Sequence, residues 1–146
     1  MSPIRSTVLA FSLFTTLTSG HAFAAAPPET VNVSLAGEAG LPMKIDLDKT
    51  VVKTGLVELN VTNDAIGTDH EMVLVKLVSK DAVISADPKT HRIDQKKLKS
   101  MGEVAGLKAG ERGTLKVKLA PGEYALICNH KSHYELGMAT RITVTN

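Results

Sequence analysis

The segment Cys128-Asn129-His130-Lys131-Ser132-His133-Tyr134-Glu135-Leu136-Gly137-Met138 lies between two strand-like runs near the C-terminus. It carries the only cysteine of the 146-residue chain, two of its five histidines and one of its five methionines. Thiolate, imidazole and thioether are the donors that soft and borderline metals such as copper select. A Cys-x4-His-x4-Met spacing therefore offers three of the four donors of a copper site from one short loop. The chain has to fold so that the two flanking runs hold the ends of that loop, and the fourth donor must come from elsewhere.

Those flanking runs belong to a set of segments that alternate apolar and polar residues with period two, the pattern of half-buried strands. Val31, Val33 and Leu35 share one face, as do Met43, Ile45 and Leu47, then Val57, Leu59 and Val61. Leu115, Val117 and Leu119 oppose Thr114, Lys116 and Lys118, and Ile142 and Val144 close the series. Alternation from Pro121 places Tyr124, Leu126 and Cys128 on one face, so the thiol points the same way as a large ring. The run from His70 to Val78 is apolar on both faces, as a strand covered on each side would be. Short strands punctuated by Gly, Asn and Asp turns predict an all-β sandwich. The polar segment Ser79 to Arg112 is the exception and is expected to be a surface insertion. Asp94 can cap a short helix from Gln95 to about Met101, with Gly102 at its end.

His70 is the best candidate for the fourth donor, because the turn-rich Asn63-Asp64-Ala65-Ile66-Gly67-Thr68-Asp69 delivers it to the mouth of an apolar run. Two histidines, one cysteine and one methionine are the donor set of a trigonal blue-copper site with a weak axial thioether. His130 competes with His133 for the place in the loop. Met43, Met72 and Met101 are expected to pack in the core, where methionine fills irregular gaps, and His91 is expected to be solvated.

With these residues the chain resembles the cupredoxins, through Val57 to Asn63, His70 to Leu77, and Pro121-Gly122-Glu123-Tyr124 onward to Val144. The resemblance implies a Greek-key β-sandwich with a variable polar insertion. It also implies one copper per chain, held by His70, Cys128, His133 and Met138. The His133 register reproduces the family spacing. The function implied is the carriage of single electrons between redox partner proteins by a monomer, with the edge of His133 as the electron exit. Tyr124 resembles the tyrosine that pins a corner in such sandwiches. The chain departs from the family pattern at Lys131-Ser132, where Pro or Pro-Gly commonly precedes the second histidine. It departs again at Glu71, where Asn commonly follows the first histidine and ties the ligand loops together.

Rival chemistries fit less well. Structural zinc sites usually take four strong Cys or His ligands, and a binuclear copper centre needs a second bridging cysteine. An oxygen-reducing copper cluster needs many more histidines than the chain holds, so no enzyme is expected. A different class of function, copper tolerance, storage or delivery with copper-handling partners, would draw on Met72, Met43, His130 and Glu71.

The first residues have the form of a secretory leader: Arg5, an apolar run from Thr7 to Leu17, then Ala22-Phe23-Ala24. The run is too short and too interrupted by Ser and Thr for a span, which needs about 20 apolar residues. Removing Arg5 from 17 basic residues, and none of the 15 acidic ones, leaves a formal charge of +1. Such a charge gives no ground for nucleic-acid binding. All three Phe fall within the leader and Trp is absent, so the mature core must be aliphatic around Tyr124 and Tyr134. The expected organisation is a signal peptide over 1–24, a domain over 25–146, a periplasmic location and no membrane span after processing. Intact-mass measurement of the exported protein should show an N-terminus at Ala25. A mature mass that retains Phe11 or Phe14 would refute the leader.

Overall fold

The alternating segments form strands because β-branched and other apolar residues on one face of a pleated chain bury together while their neighbours stay wet. The structure is a computed structural model that describes residues 27–146; the expected leader and its cleavage site lie outside the described residues. Nine strands form two sheets among the described residues: β1 (Glu29–Ala36), β2 (Lys44–Leu47), β3 (Val51–Lys53), β4 (Gly55–Asn63), β5 (His70–Lys76), β6 (Lys99–Leu107), β7 (Arg112–Leu119), β8 (Gly122–Ile127) and β9 (Ala139–Thr145). The four-stranded sheet runs β2-β1-β4-β7 and the five-stranded sheet β3-β9-β8-β5-β6. Each sheet contains one parallel pair, β1 with β4 and β3 with β9, among otherwise antiparallel neighbours. The all-β sandwich expected from the alternation is the fold observed.

The inner faces meet in an aliphatic core. Val31, Val33 and Leu35 of β1, and Val57, Leu59 and Val61 of β4, pack there against Met72 and Leu74 of β5 and Tyr124, Leu126 and Cys128 of the β8 segment. Val73, Val75, Ala125 and Ile127 point the other way and are also buried. What covers them is the insertion: Ala82, Ile84, Ala86, Ile93 and Leu98 lie against the outer face of the five-stranded sheet. The insertion is therefore a third layer over part of the sandwich rather than a surface excursion. It explains why β5 is apolar on both faces.

The C-terminal part of the same segment also differs from expectation. Asp94 caps as predicted, its Oδ1 accepting from the Lys96 N–H at 3.1 Å, but the helix is a single 3-10 turn over Gln95–Lys97. Residues from Lys99 join the sheet as β6, paired with β5 from Lys76↔Lys99 to His70↔Leu107. Two register shifts interrupt that ladder, so its inward residues Met101, Val104 and Leu107 fall three apart and the period-two signal is lost. Met101 and Met43 pack in the core region, as expected for gap-filling methionines.

Tyr124 is fully buried and its hydroxyl donates to the Ala120 carbonyl at 2.8 Å, which pins the turn into β8. The phenol is thus structural. Tyr124→Phe should lower unfolding stability by about 1 kcal/mol, the usual net value of one hydrogen bond, in a denaturant titration. A loss near zero would show that the corner does not need the bond.

Candidate metal centre

The β5–β8 ladder pairs Val73 with Ile127 and Lys76 with Tyr124. That register brings the first residue of β5 and the residue after β8 to one end of adjoining strands. His70 and Cys128 are both fully buried there. The loop from Cys128 then returns to β9 through a nested set of backbone bonds: His133 N–H to His130 O at 3.1 Å, Met138 N–H to His133 O at 3.0 Å, and Cys128 N–H to Met138 O at 3.1 Å. Gly137, at φ +100°, makes the reversal that residues with a side chain rarely adopt. The result places the His133 Nδ1 3.4 Å from the Cys128 Sγ and 3.3 Å from the His70 Nδ1. One donor atom from each of the three residues lies within 4.8 Å of the others, and this is the only such cluster among the described residues. Met138 is fully buried at the end of the loop.

The donor chemistry suits a metal ion. His70 Nε2 lies 3.1 Å from the Gly37 carbonyl, which has no proton to give, so the ring proton sits on Nε2 and Nδ1 presents a lone pair. Gly37 is at φ +125°, and a Cβ there would lie 2.8 Å from the Met43 Cα, so glycine alone lets that carbonyl reach the ring. Bare nitrogens and a sulfur facing one another over these distances are mutually repulsive unless a proton or a cation lies between them. His133 stacks on His130 at 27° with centroids 5.3 Å apart, and His130 is directed toward Glu71, its Nε2 3.9 Å from the Glu71 Oε2.

Burial sets the charge state of the three donors. It holds the His133 imidazole down to about 4, helped by the charges of His70, His130 and Arg92. The His70 ring is also lowered, chiefly by burial, against the opposing pull of the Gly37 carbonyl. Burial pushes the Cys128 thiol up to about 11, although backbone N–H groups of Glu71 and His130 directed at the sulfur act the other way. Both imidazoles are therefore neutral at pH 7 and ready to donate lone pairs.

Residues 31–145 match the family described as copper binding proteins, plastocyanin/azurin family. The chain belongs to that family. Its fold is shared by auracyanin from the photosynthetic bacterium Roseiflexus castenholzii, solved in the dithionite-reduced state, at 21% identity and a TM-score of 0.58 over 83% of this chain and 100% of that one. Auracyanin B is 27% identical with a TM-score of 0.56, over 84% and 93% of the two chains. Auracyanin A, a "blue" copper protein of Chloroflexus aurantiacus, is 25% identical with a TM-score of 0.57, over 82% and 100%. No curated protein matches the chain. Copper is accordingly the cofactor of this cupredoxin, and the His70, Cys128 and His133 donors suit a single ion.

The sequence-predicted residues thus divide clearly. His70, Cys128 and His133 converge, Met138 is buried beside the loop's closure, and His130 faces outward from His133 toward Glu71. Met72 and Met43 are buried in the core. His91 is half-exposed but pairs with Glu135 at 2.9 Å rather than lying free in solvent. At Glu71 the Oε1 accepts the Asn129 N–H at 3.1 Å, so this acid ties the segment that carries His70 to the one that carries Cys128. Gly37 was not singled out from the sequence, because what it contributes is a backbone carbonyl.

The imidazole shifts give the metal-free protein a pH signature. A histidine lowered on folding, from 6.5 to about 4 for His133, takes up a proton more readily in the unfolded chain, so stability is fully present above 6.5 and falls as pH drops toward 4. His70 acts in the same direction. Urea midpoints of the metal-free protein should therefore decrease between pH 7 and pH 4.5, and His133→Gly should flatten the decline. An unchanged midpoint across that range would contradict the assignment of both rings as neutral.

Proposed function

We propose that this cupredoxin is an exported type 1 copper protein that carries single electrons between partner proteins. His70, Cys128 and His133 would hold the copper, with Met138 as a weaker thioether donor. The observation that carries the reading is the convergence of two imidazole nitrogens and a thiol within 4.8 Å, in a chain of the plastocyanin/azurin family. Copper, when bound, supplies a one-electron couple between Cu(I) and Cu(II).

The protein's own residues do the rest. The aliphatic core around Cys128 keeps water from the thiolate. The Gly37 carbonyl and the loop's backbone bonds fix the two imidazoles, so that one arrangement serves both oxidation states and little has to move during transfer. His133 is only half-buried, so its ring is the donor that reaches the surface and serves as the electron exit, with Leu136 on the adjoining rim. The working unit is a monomer of residues 25–146 with one copper, periplasmic after loss of the leader, and not an enzyme. Among the described residues no helix is long and apolar enough to cross a membrane.

Storage or delivery of copper is less well supported. It would draw on Met72 and Met43 as an open thioether surface, but they are fully and almost fully buried. Only His130 and Glu71 remain near the mouth.

The test is the copper stoichiometry and visible spectrum of the purified protein, with a redox titration. One copper per chain, an intense thiolate band and a reversible one-electron couple are expected. Cys128→Ser should abolish the band while keeping the fold. His133→Gly should bleach or shift it, and His130→Ala should leave it nearly unchanged. Full copper occupancy without colour would rule out the type 1 assignment, and bleaching by His130→Ala alone would overturn the ligand set. Ready surrender of copper on reduction, at a rate comparable with electron transfer, would favour delivery over carriage.

A further inference from the structure

The metal loop lacks the proline that commonly stiffens it in the family, and Ser132 occupies the left-handed region at φ 68°, which a proline could not adopt. A loop of Asn, His, Lys and Ser would be slack on its own. In the structure it is held from outside by the insertion between β5 and β6. The Asn129 side chain, almost fully buried, accepts the Ile93 N–H at 2.6 Å and donates to the Ile93 carbonyl at 2.9 Å, closing a two-bond ring with that residue's backbone. Arg92 Nη1 donates to the Asn129 carbonyl at 2.8 Å, and the Ser132 N–H donates to the His91 carbonyl at 2.8 Å. Tyr134 adds a bond from its hydroxyl to the Ile84 carbonyl at 2.8 Å.

The insertion is itself anchored. Ile93 is buried with Val73, Val75 and Leu77 on the outer face of the sheet. Asp87 Oδ1 caps the turn before it, accepting the Lys89 and Thr90 N–H groups at 2.8 and 2.9 Å. Arg141 of β9 donates to the Lys80 and Ala82 carbonyls at 2.6 and 2.5 Å. A segment fastened to the sheet at both ends and bonded to the loop in between transmits the rigidity of the sheet to the residues beside Cys128 and His133.

We propose that residues 80–93 are an external brace of the metal loop, with Asn129 and Arg92 as the positioning residues through which the brace fixes Cys128 and His133. The proposal rests on the reading of that loop as the copper loop. The brace takes the place of the missing proline. It resists the opening of the loop through which copper would leave, and it limits rearrangement between oxidation states. Residues that orient metal ligands typically alter affinity or activity about 10–100-fold when changed.

The test uses the copper-loaded full chain and follows the thiolate band and the rate of Cu(I) loss to excess bathocuproine disulfonate. Asn129→Ala should release copper about 10-fold faster or more and shift the band. Arg92→Ala, an exposed change that leaves the core intact, should act in the same direction but less, and Arg92→Lys should restore most of the effect. Leu98→Ala, which thins the cover away from the loop, should lower the melting temperature and leave both readouts unchanged. If Asn129→Ala and Arg92→Ala only lower the melting temperature, as Leu98→Ala does, the insertion is a cover for the sheet and the brace is overturned. A wild type without a thiolate band would instead sink the copper reading. The brace is then judged on metal-free protein by amide exchange at Ser132 and Ile93, which Arg92→Ala should accelerate if the brace exists and leave unchanged if it does not.

Discussion

The antiparallel ladder between β5 and β8 is what the metal centre depends on. It fixes which end of the sandwich receives His70 and Cys128, and because its register is set by buried residues on both faces, a slip by one residue would turn every side chain over. Val73 and Ile127 sit under the insertion while Met72, Leu74 and Leu126 sit in the sandwich core. Such a slip would therefore exchange two well-filled apolar layers. The specificity that keeps the donors together thus comes from hydrocarbon packing several residues away from them.

That same burial places three donor groups where none can be charged cheaply in the absence of metal. The imidazoles are held neutral and the thiol is held protonated. Local frustration of this kind is typical of functional sites and is compensated by the packing around them. Here the compensation is visible: apart from the donor atoms that face one another, no buried side-chain nitrogen or oxygen among the described residues lacks a hydrogen-bond partner. The remaining tension is confined to the donor atoms that face one another, and a cation relieves it.

How much of this could be read from the sequence follows from which interactions have a side-chain signature. The inward alternation of Val31, Val33, Leu35 and of Val57, Leu59, Val61 states the strands directly, and the two-faced run from His70 states a covered strand. The cluster was legible because its donor types are rare and sit at fixed spacing in one loop. Gly37 was illegible because its share is a carbonyl. Strand β6 was hidden by two register shifts, which break the period on which the reading relies. The insertion was the subtlest case: Ala82, Ile84 and Ala86 do alternate with the exposed Asp81, Val83 and Ser85, but that stretch lies on the sheet without joining a ladder. Its polar neighbours masked the apolar side.

The departures from the family pattern make sense when taken together. A loop with Pro before its second histidine carries stiffness in its own backbone; a loop with Lys131-Ser132 does not. In this chain the stiffness has moved to contacts made across space, from Glu71 on one side through the Asn129 N–H and from Ile93, Arg92 and His91 on the other. Asn129 is where the two sides meet, its backbone N–H bound to Glu71, its carbonyl to Arg92 and its side chain to Ile93. Every polar group of the residue next to Cys128 is thereby engaged. Rotation of the Cys128–Asn129 segment would break bonds in two directions at once, so the position of the sulfur is set jointly by β5 and by the insertion rather than by the loop that carries it.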